Sequence, residues 1–334
     1  MSDIGKAIQL IPDKIAQVSA LLRQSHVPGD REEITLTDLS TIEAGNFWLA
    51  IVAICHQTSP LGQPPLSGTV NGRSLRGWDY LVAKFQAYVT KRKEFLTPSK
   101  WATISKNWIT TVFGNSLSDP EGRAALLRDL GAQMQRQQIT HFHELYMRCD
   151  GRIKDGEPNL LSRLTRFAAY SDPVCKKAYF LLAIMRTSCN WTYRDTENLG
   201  PPVDYHEIRG HLRVGTVVIL DDNIRNCVES GQSLTKEEDI AIRLAVRDAI
   251  WQISRESGIR DASVCHYLFW NVFRSHCTRI DPNCLGCRPS TLPLRYRSLN
   301  VRAEEGQCPM NAICHAFRSG YIPLMEYTCN TEFY

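Results

Sequence analysis

Apolar residues recur at helical rather than alternating spacing along most of this chain. Ile4, Ile8, Ile11, Ile15, Val18, Leu21 and Leu22 form the first series, predicting an N-terminal helix that ends before a break at Gly29 and Asp30. Thr37 or Ser40 then offers a cap for a second helix containing "FWLAIVAICHQTS". Residues 60–75 are rich in Pro and Gly and read as a loop. Aromatic-rich helices are expected over 78–114, with Trp78, Tyr80, Phe85, Tyr88, Trp101 and Trp108 mostly in the core. Residues 120–190 read as mainly helical, broken at Gly151, Gly156 and Pro158. "GTVVIL" fits a short strand or a helix. The next segment, "SLTKEEDIAIRLAVRDAIWQISRESG", has a capping box at Thr235 and Glu238 and an apolar face of Ile240, Leu244, Ile250 and Ile253. No strand-rich region, internal repeat or Gly-rich nucleotide-binding signature appears. The expected fold class is all-α.

Composition adds limits. A chain of 334 residues, 43% hydrophobic and 22% charged, has material for a core and for two compact domains. It contains no run of 18 apolar residues, and its start, "MSDIGKAIQLIPDK", lacks a secretory layout. A cytoplasmic protein without a membrane partner is the expectation. The net charge of +4 is mild but uneven, with Lys91, Arg92 and Lys93 together, and Arg288, Arg295, Arg297 and Arg302 together. Such clusters can attract phosphate or simply face solvent.

Twelve cysteines are many for a reducing compartment, and five of them lie within 38 residues. Their skeleton is Cys277-x6-Cys284-x2-Cys287-x20-Cys308-x5-Cys314. The short C-x2-C spacing lets two thiolates converge on one metal centre, either tetrahedral zinc or a [4Fe–4S] cluster. A second candidate is Asp204, in "PPVDYHEIRGHLRVG". Two prolines prime a helix start there, and the helix dipole favours a charged carboxylate at that end. Such a carboxylate can stabilise a cationic sugar centre or orient water, and it can also be an ordinary helix cap. Gln57, at the end of "CHQTS", presents an amide with two donors and an acceptor.

These motifs, taken in order, resemble the helix-hairpin-helix DNA glycosylase superfamily. "FWLAIVAICHQTS" is similar to its first barrel helix, and Val203, Asp204, His206, Arg209, Arg213 and Gly215 match its aspartate helix in register. The cysteine skeleton resembles the cluster loop of endonuclease III and adenine DNA glycosylase, with about twenty residues inserted. "SVCHYLFWNVFRSHC" is similar to the helix that leads into that loop. The resemblance implies a two-lobed helical fold. Residues 1–44 form an N-terminal helix packing on the C-terminal lobe, 45–200 a helical barrel, and 201–334 the aspartate helix and C-terminal lobe with its cluster loop at 277–314.

It further implies a monomeric DNA N-glycosylase that cleaves the bond to a flipped modified base in duplex DNA. Asp204 is then the catalytic carboxylate. Gln57, His56, Tyr205, His206, Arg209 and Arg213 fall on the DNA or base side, the two arginines as phosphate contacts or structural salt-bridge partners. A [4Fe–4S] cluster, or zinc in its place, is held by Cys277, Cys284, Cys314 and either Cys287 or Cys308, with Cys287 preferred. "YSDPVCKKAYFLLAIM" stands where the family's glycine hairpin belongs and puts Lys176 on the position of a Schiff-base lysine. The hairpin glycines are replaced by Asp172 and Val174. "DYHEIRGHLRVG", followed by Glu238, Ile242, Arg243 and Ala249, also resembles the queuosine salvage nucleotide N-glycosidases. A non-catalytic nucleic-acid-binding relative is a third reading.

Overall fold

The computed structural model describes residues 7–24, 34, 36, 38–280, 282–286 and 306–334. These residues are mostly helical, with two small two-stranded antiparallel sheets, so the all-α expectation holds at the level of class. No helix among them is long and apolar enough to cross a membrane. The chain divides into two compact units. One comprises Met1–Arg31 and Leu199–Asn330, the other Glu32–Asn198 and Thr331–Tyr334.

In the first unit the N-terminal apolar series serves two elements. Ile8–Leu10 is a strand, pairing with Val217–Ile219, and the helix runs only over Pro12–Arg23. Pro12 sets the boundary: its missing N–H is harmless in a first helical turn and its fixed φ suits that position. "GTVVIL" thus supplies a strand. The Pro12–Arg23 helix packs on the 22-residue helix Lys236–Ser257. The capping box at Thr235 and Glu238 forms as expected. The buried stripe of that helix differs: Ile242, Val246, Ala249, Ile250 and Ile253 are inside, while Ile240 and Leu244 are half-buried. The rotation brings Arg243 inward, where Asp239 pairs with it at 3.1 Å and accepts a bond from the Tyr327 hydroxyl at 2.9 Å. A buried charge needs such partners.

Helix Tyr205–Val214 lies against Ala262–Ser275, and Gly210 permits the close approach. A Cβ at Gly210 falls onto the Phe273 ring. Gly215 ends the helix in the left-handed region at φ 90°, as C-terminal glycines commonly do.

In the second unit Thr41–Ala53 is capped by Ser40, while Thr37 lies outside the described residues. This helix is buried along nearly its whole length and packs on Lys176–Ser188. Part of the expected 60–75 loop is a hairpin, Ser67–Val70 with Arg73–Arg76. Asn71 and Gly72 form its two-residue turn, both at positive φ, which the Asn-Gly pair favours. The breaks near 151–158 form a loop held by Asp195. Its carboxylate accepts the amides of Ile153, Lys154 and Asp155 at 2.6, 2.8 and 2.9 Å.

Gly210→Ala must displace the Phe273 ring or part the helices Tyr205–Val214 and Ala262–Ser275. Overpacking of this kind costs about 1–3 kcal/mol. Urea denaturation is expected to show a lower midpoint with an unchanged slope, and an unaltered midpoint contradicts the close packing.

Candidate active site

Asp204 caps helix Tyr205–Val214 through a reciprocal box with Glu207. One carboxylate oxygen, Oδ1, accepts the His206 amide at 2.7 Å, and the Glu207 side chain accepts the Asp204 amide at 3.0 Å. The box alone is a helix start. What makes the position unusual is its surroundings. Trp270, on the neighbouring helix, donates its indole N–H to Asp204 Oδ2 at 3.2 Å. Asp204, Tyr205, His206 and Trp270 are all half-buried. The Tyr205 and His206 rings lie 4.3 Å apart, and Trp270 stands edge-on to His206 at 5.9 Å. Arg279 covers the Tyr205 ring at 5.0 Å and Arg274 the Trp270 ring at 4.6 Å. A carboxylate therefore opens beside an aromatic and cationic surface.

Glu207 and Trp270 were missed in the sequence, although the D-x-x-E spacing of Asp204 and Glu207 was a readable capping-box signal. Glu207 is fully buried, with its Oε1 3.1 Å from His266 Nδ1. Burial pushes its carboxyl well above the ordinary range, and the neighbouring Asp204 pushes it further the same way. His206 is held down to about 4, chiefly by burial. Its Nδ1 faces Arg209 Nη2 at 2.9 Å. Since guanidinium only donates, Nδ1 is the acceptor and Nε2 carries the proton of the neutral ring.

Arg209 and Arg213 take the structural of their two expected roles. Arg209 is buried, donating to the Cys277 carbonyl at 2.7 Å and to Glu326 Oε2 at 2.5 Å. Arg213, also buried, donates to the carbonyls of Thr278, Arg279, Pro323 and Leu324 at 2.7–3.0 Å, and to Cys277 Sγ at 3.3 Å. Neither guanidinium is open to a DNA phosphate.

That last contact leads to the cysteines. Cys277, Cys284, Cys308 and Cys314 line a single cavity, whose other walls are largely apolar, with Phe273, Met310 and Phe317 among them. Burial, and then the neighbouring thiols, push Cys284 up to about 12. Cys308 is described beside the other three, while Cys287, the preferred alternative, lies outside the described residues. The chain returns on itself here. Leu285 bridges to Gln307, and the Cys308 amide bonds to the Cys284 carbonyl at 3.0 Å, bringing the end of the insertion back beside its start. The "C-P…C" run from Cys308 to Cys314 stays intact, tied by the Cys314 amide to Met310 at 2.8 Å. Among the described residues no set of three or more His, Cys, Asp or Glu is gathered tightly enough for a single metal ion. The four thiols share one largely apolar hollow. The basic cluster at Arg288, Arg295, Arg297 and Arg302 also lies outside the described residues.

In the second unit His56 is not on a DNA-facing surface: it is 2% exposed. Its carbonyl accepts from Arg123 at 2.7 Å, and its Nδ1 is 3.5 Å from Lys177 Nζ. Gln57, half-buried and at φ 46°, gives its side-chain amide to the Thr331 carbonyl at 3.0 Å, and its backbone N–H meets the Tyr334 carbonyl at 3.0 Å. The two lysines of the motif part company. Lys176 is half-buried with its ammonium 5.1 Å from the Phe180 ring, whereas Lys177 is fully buried and caps the Ala53 carbonyl at 2.7 Å. Asp172 replaces the hairpin glycine in a telling way. Its carboxylate accepts the amides of Val174 and Lys176, both at 3.0 Å, so these amides at the helix start serve the chain itself.

No protein-family model matches this chain, and no curated protein does either.

Burial lowers Lys177 from 10.5 to about 7. The unfolded chain protonates this lysine below about 10.5 and the folded one only below about 7, so acidification through that window favours unfolding. Wild-type stability is expected to fall, relative to Lys177→Met, between pH 10 and pH 7. Parallel denaturation curves for the two proteins across that range contradict the buried charge.

Proposed function

We propose that this chain is an N-glycosylase, hydrolysing the bond between a sugar C1′ and a nucleobase, with a modified base in DNA as the leading substrate. The observation that carries the reading is the half-buried Asp204 carboxylate, held by two N–H donors beside the rings of Tyr205, His206 and Trp270. Breaking C1′–N builds positive charge on the sugar, and a fixed carboxylate stabilises that charge as it grows. Burial, and then the neighbouring Asp204, raise the Glu207 carboxyl well above its ordinary range, so of the two acids Glu207 is the one whose charge is disfavoured. Water then adds to C1′, Asp204 accepts its proton, and the electron pair of the broken bond leaves with the base. Aromatic faces and the cations over them suit a base taken out of its stack.

Cys277, Cys284, Cys308 and Cys314 would hold a [4Fe–4S] cluster, which would supply a rigid covalent tie between segments distant in sequence. Arg213, touching Cys277, joins that tie to the Asp204 helix.

One observation favours a second reading, a salvage-type nucleotide N-glycosidase. The amides ahead of Lys176–Ser188, which the glycine hairpin offers to a DNA phosphate, are taken by Asp172. A free nucleotide makes no demand on that grip.

Asp204→Asn tests the chemistry without removing the helix cap, since Asn caps about as well as Asp. Loss of such a charge is expected to slow base release by on the order of 10²–10³-fold, with folding unchanged. Release from a panel of modified-base duplexes, and from deazaguanine nucleotides, measures it. Undiminished turnover removes Asp204 from catalysis, and turnover of nucleotides alone selects the second reading.

Cys308→Ala is expected to lose bound iron and the absorbance near about 400 nm, the region in which iron–sulfur charge transfer falls. Cys287→Ala is expected to keep both. Iron content of the two purified proteins decides the ligand set, and the reverse pattern returns Cys287 to it.

A further inference from the structure

The cysteine cavity holds one polar ring more than four thiolates require. His276 follows helix Ala262–Ser275 and directly precedes Cys277; it is 1% exposed and lines the cavity with Cys277, Cys284, Cys308 and Cys314. Its backbone is fully employed: the amide bonds to Val272 at 2.9 Å and the carbonyl accepts from Asn283 at 2.7 Å. Its side chain is different. Among the described residues, neither Nδ1 nor Nε2 has a hydrogen-bond partner. A neutral imidazole always carries one N–H, and native structures rarely bury such a donor without an acceptor. Of the other lining side chains, Phe273, Met310 and Phe317 offer it no strong acceptor, and Asn311, whose amide donates to Gln307 at 2.6 Å, makes no bond to it. Thiolate and sulfide are acceptors, and they are what a loaded cavity contains.

Resting on the reading that these four cysteines hold an iron–sulfur cluster, we propose that His276 is a positioning residue whose ring N–H donates to a sulfur of that cluster. Four thiolates complete the irons of a [4Fe–4S] group, so the imidazole serves as donor and not as ligand. Arg213 already supplies one donor to Cys277 Sγ at 3.3 Å. His276 supplies a second. Hydrogen bonds to cluster sulfurs favour the electron-rich state and raise the reduction potential. The outer partner therefore sets how readily the cluster accepts an electron, independently of base release.

The test uses the full chain, reconstituted anaerobically with iron and sulfide, as wild type, His276→Ala and His276→Gln. Iron and sulfide content, reduction potential, and the hyperfine spectrum of the paramagnetic state with ¹⁵N-labelled histidine are the readouts. The expected result is a weak ¹⁵N coupling in wild type that both variants lose. The potential is expected to be lower in His276→Ala and to move back toward wild type in His276→Gln, which retains an N–H. A wild-type protein that takes up no iron overturns the cluster reading itself. Wild-type loading with a potential unchanged in His276→Ala, or with no ¹⁵N coupling, overturns the role of His276 alone. A strong coupling of the size given by direct ligation overturns it as well. Should His276→Ala fail to fold, the wild-type spectrum and His276→Gln still decide.

Discussion

Arg209 and Arg213 stand one helical turn apart on helix Tyr205–Val214, and their guanidinium groups determine what else this unit can do. Between them they satisfy the carbonyls of Cys277, Thr278, Arg279, Pro323 and Leu324 and the Glu326 carboxylate. Two segments nearly fifty residues apart in sequence thus converge on one helix. A buried charge is tolerated only when it is paired and hydrogen-bonded throughout, so the arrangement is close to all-or-none. Removing one arm leaves buried carbonyls without their side-chain donor, and loss of Arg209 leaves Glu326 with Arg279 alone, at 2.7 Å. The pair holds the Cys277 carbonyl and sulfur against the same helix that Asp204 caps.

This dual use explains why the arginines read ambiguously from sequence. Arginine at fixed spacing behind an aspartate is equally compatible with phosphate and with carbonyl partners. What separates the roles is burial, and burial depends on segments more than sixty residues away. The aspartate helix itself was legible, because Pro201, Pro202, Asp204 and Gly215 encode its start and stop locally. So was the capping box at Thr235. The Ile8–Leu10 strand was not, since its partner lies some two hundred residues on and its apolar spacing equally suits a helix. The hairpin at 67–76 had a local signal in Asn71-Gly72 that the surrounding proline-rich composition obscured.

The paired lysines show the same limit at finer grain. Alignment by motif favoured Lys176, yet the helix turns Lys177 inward onto the Ala53 carbonyl, with His56 alongside. Adjacent residues on a helix point about a hundred degrees apart, so an error of one position changes a surface charge into an interior one. The place of Cys308 was no more legible, because spacing alone does not show that the Leu285–Gln307 bridge brings it back beside Cys284.

The Leu285–Gln307 bridge and the bond from the Cys308 amide to the Cys284 carbonyl place two thiols side by side by means of main-chain groups alone. Side-chain changes at Leu285 and Gln307 therefore leave that pairing its donors and acceptors, because every residue other than proline brings the same N–H and C=O to it.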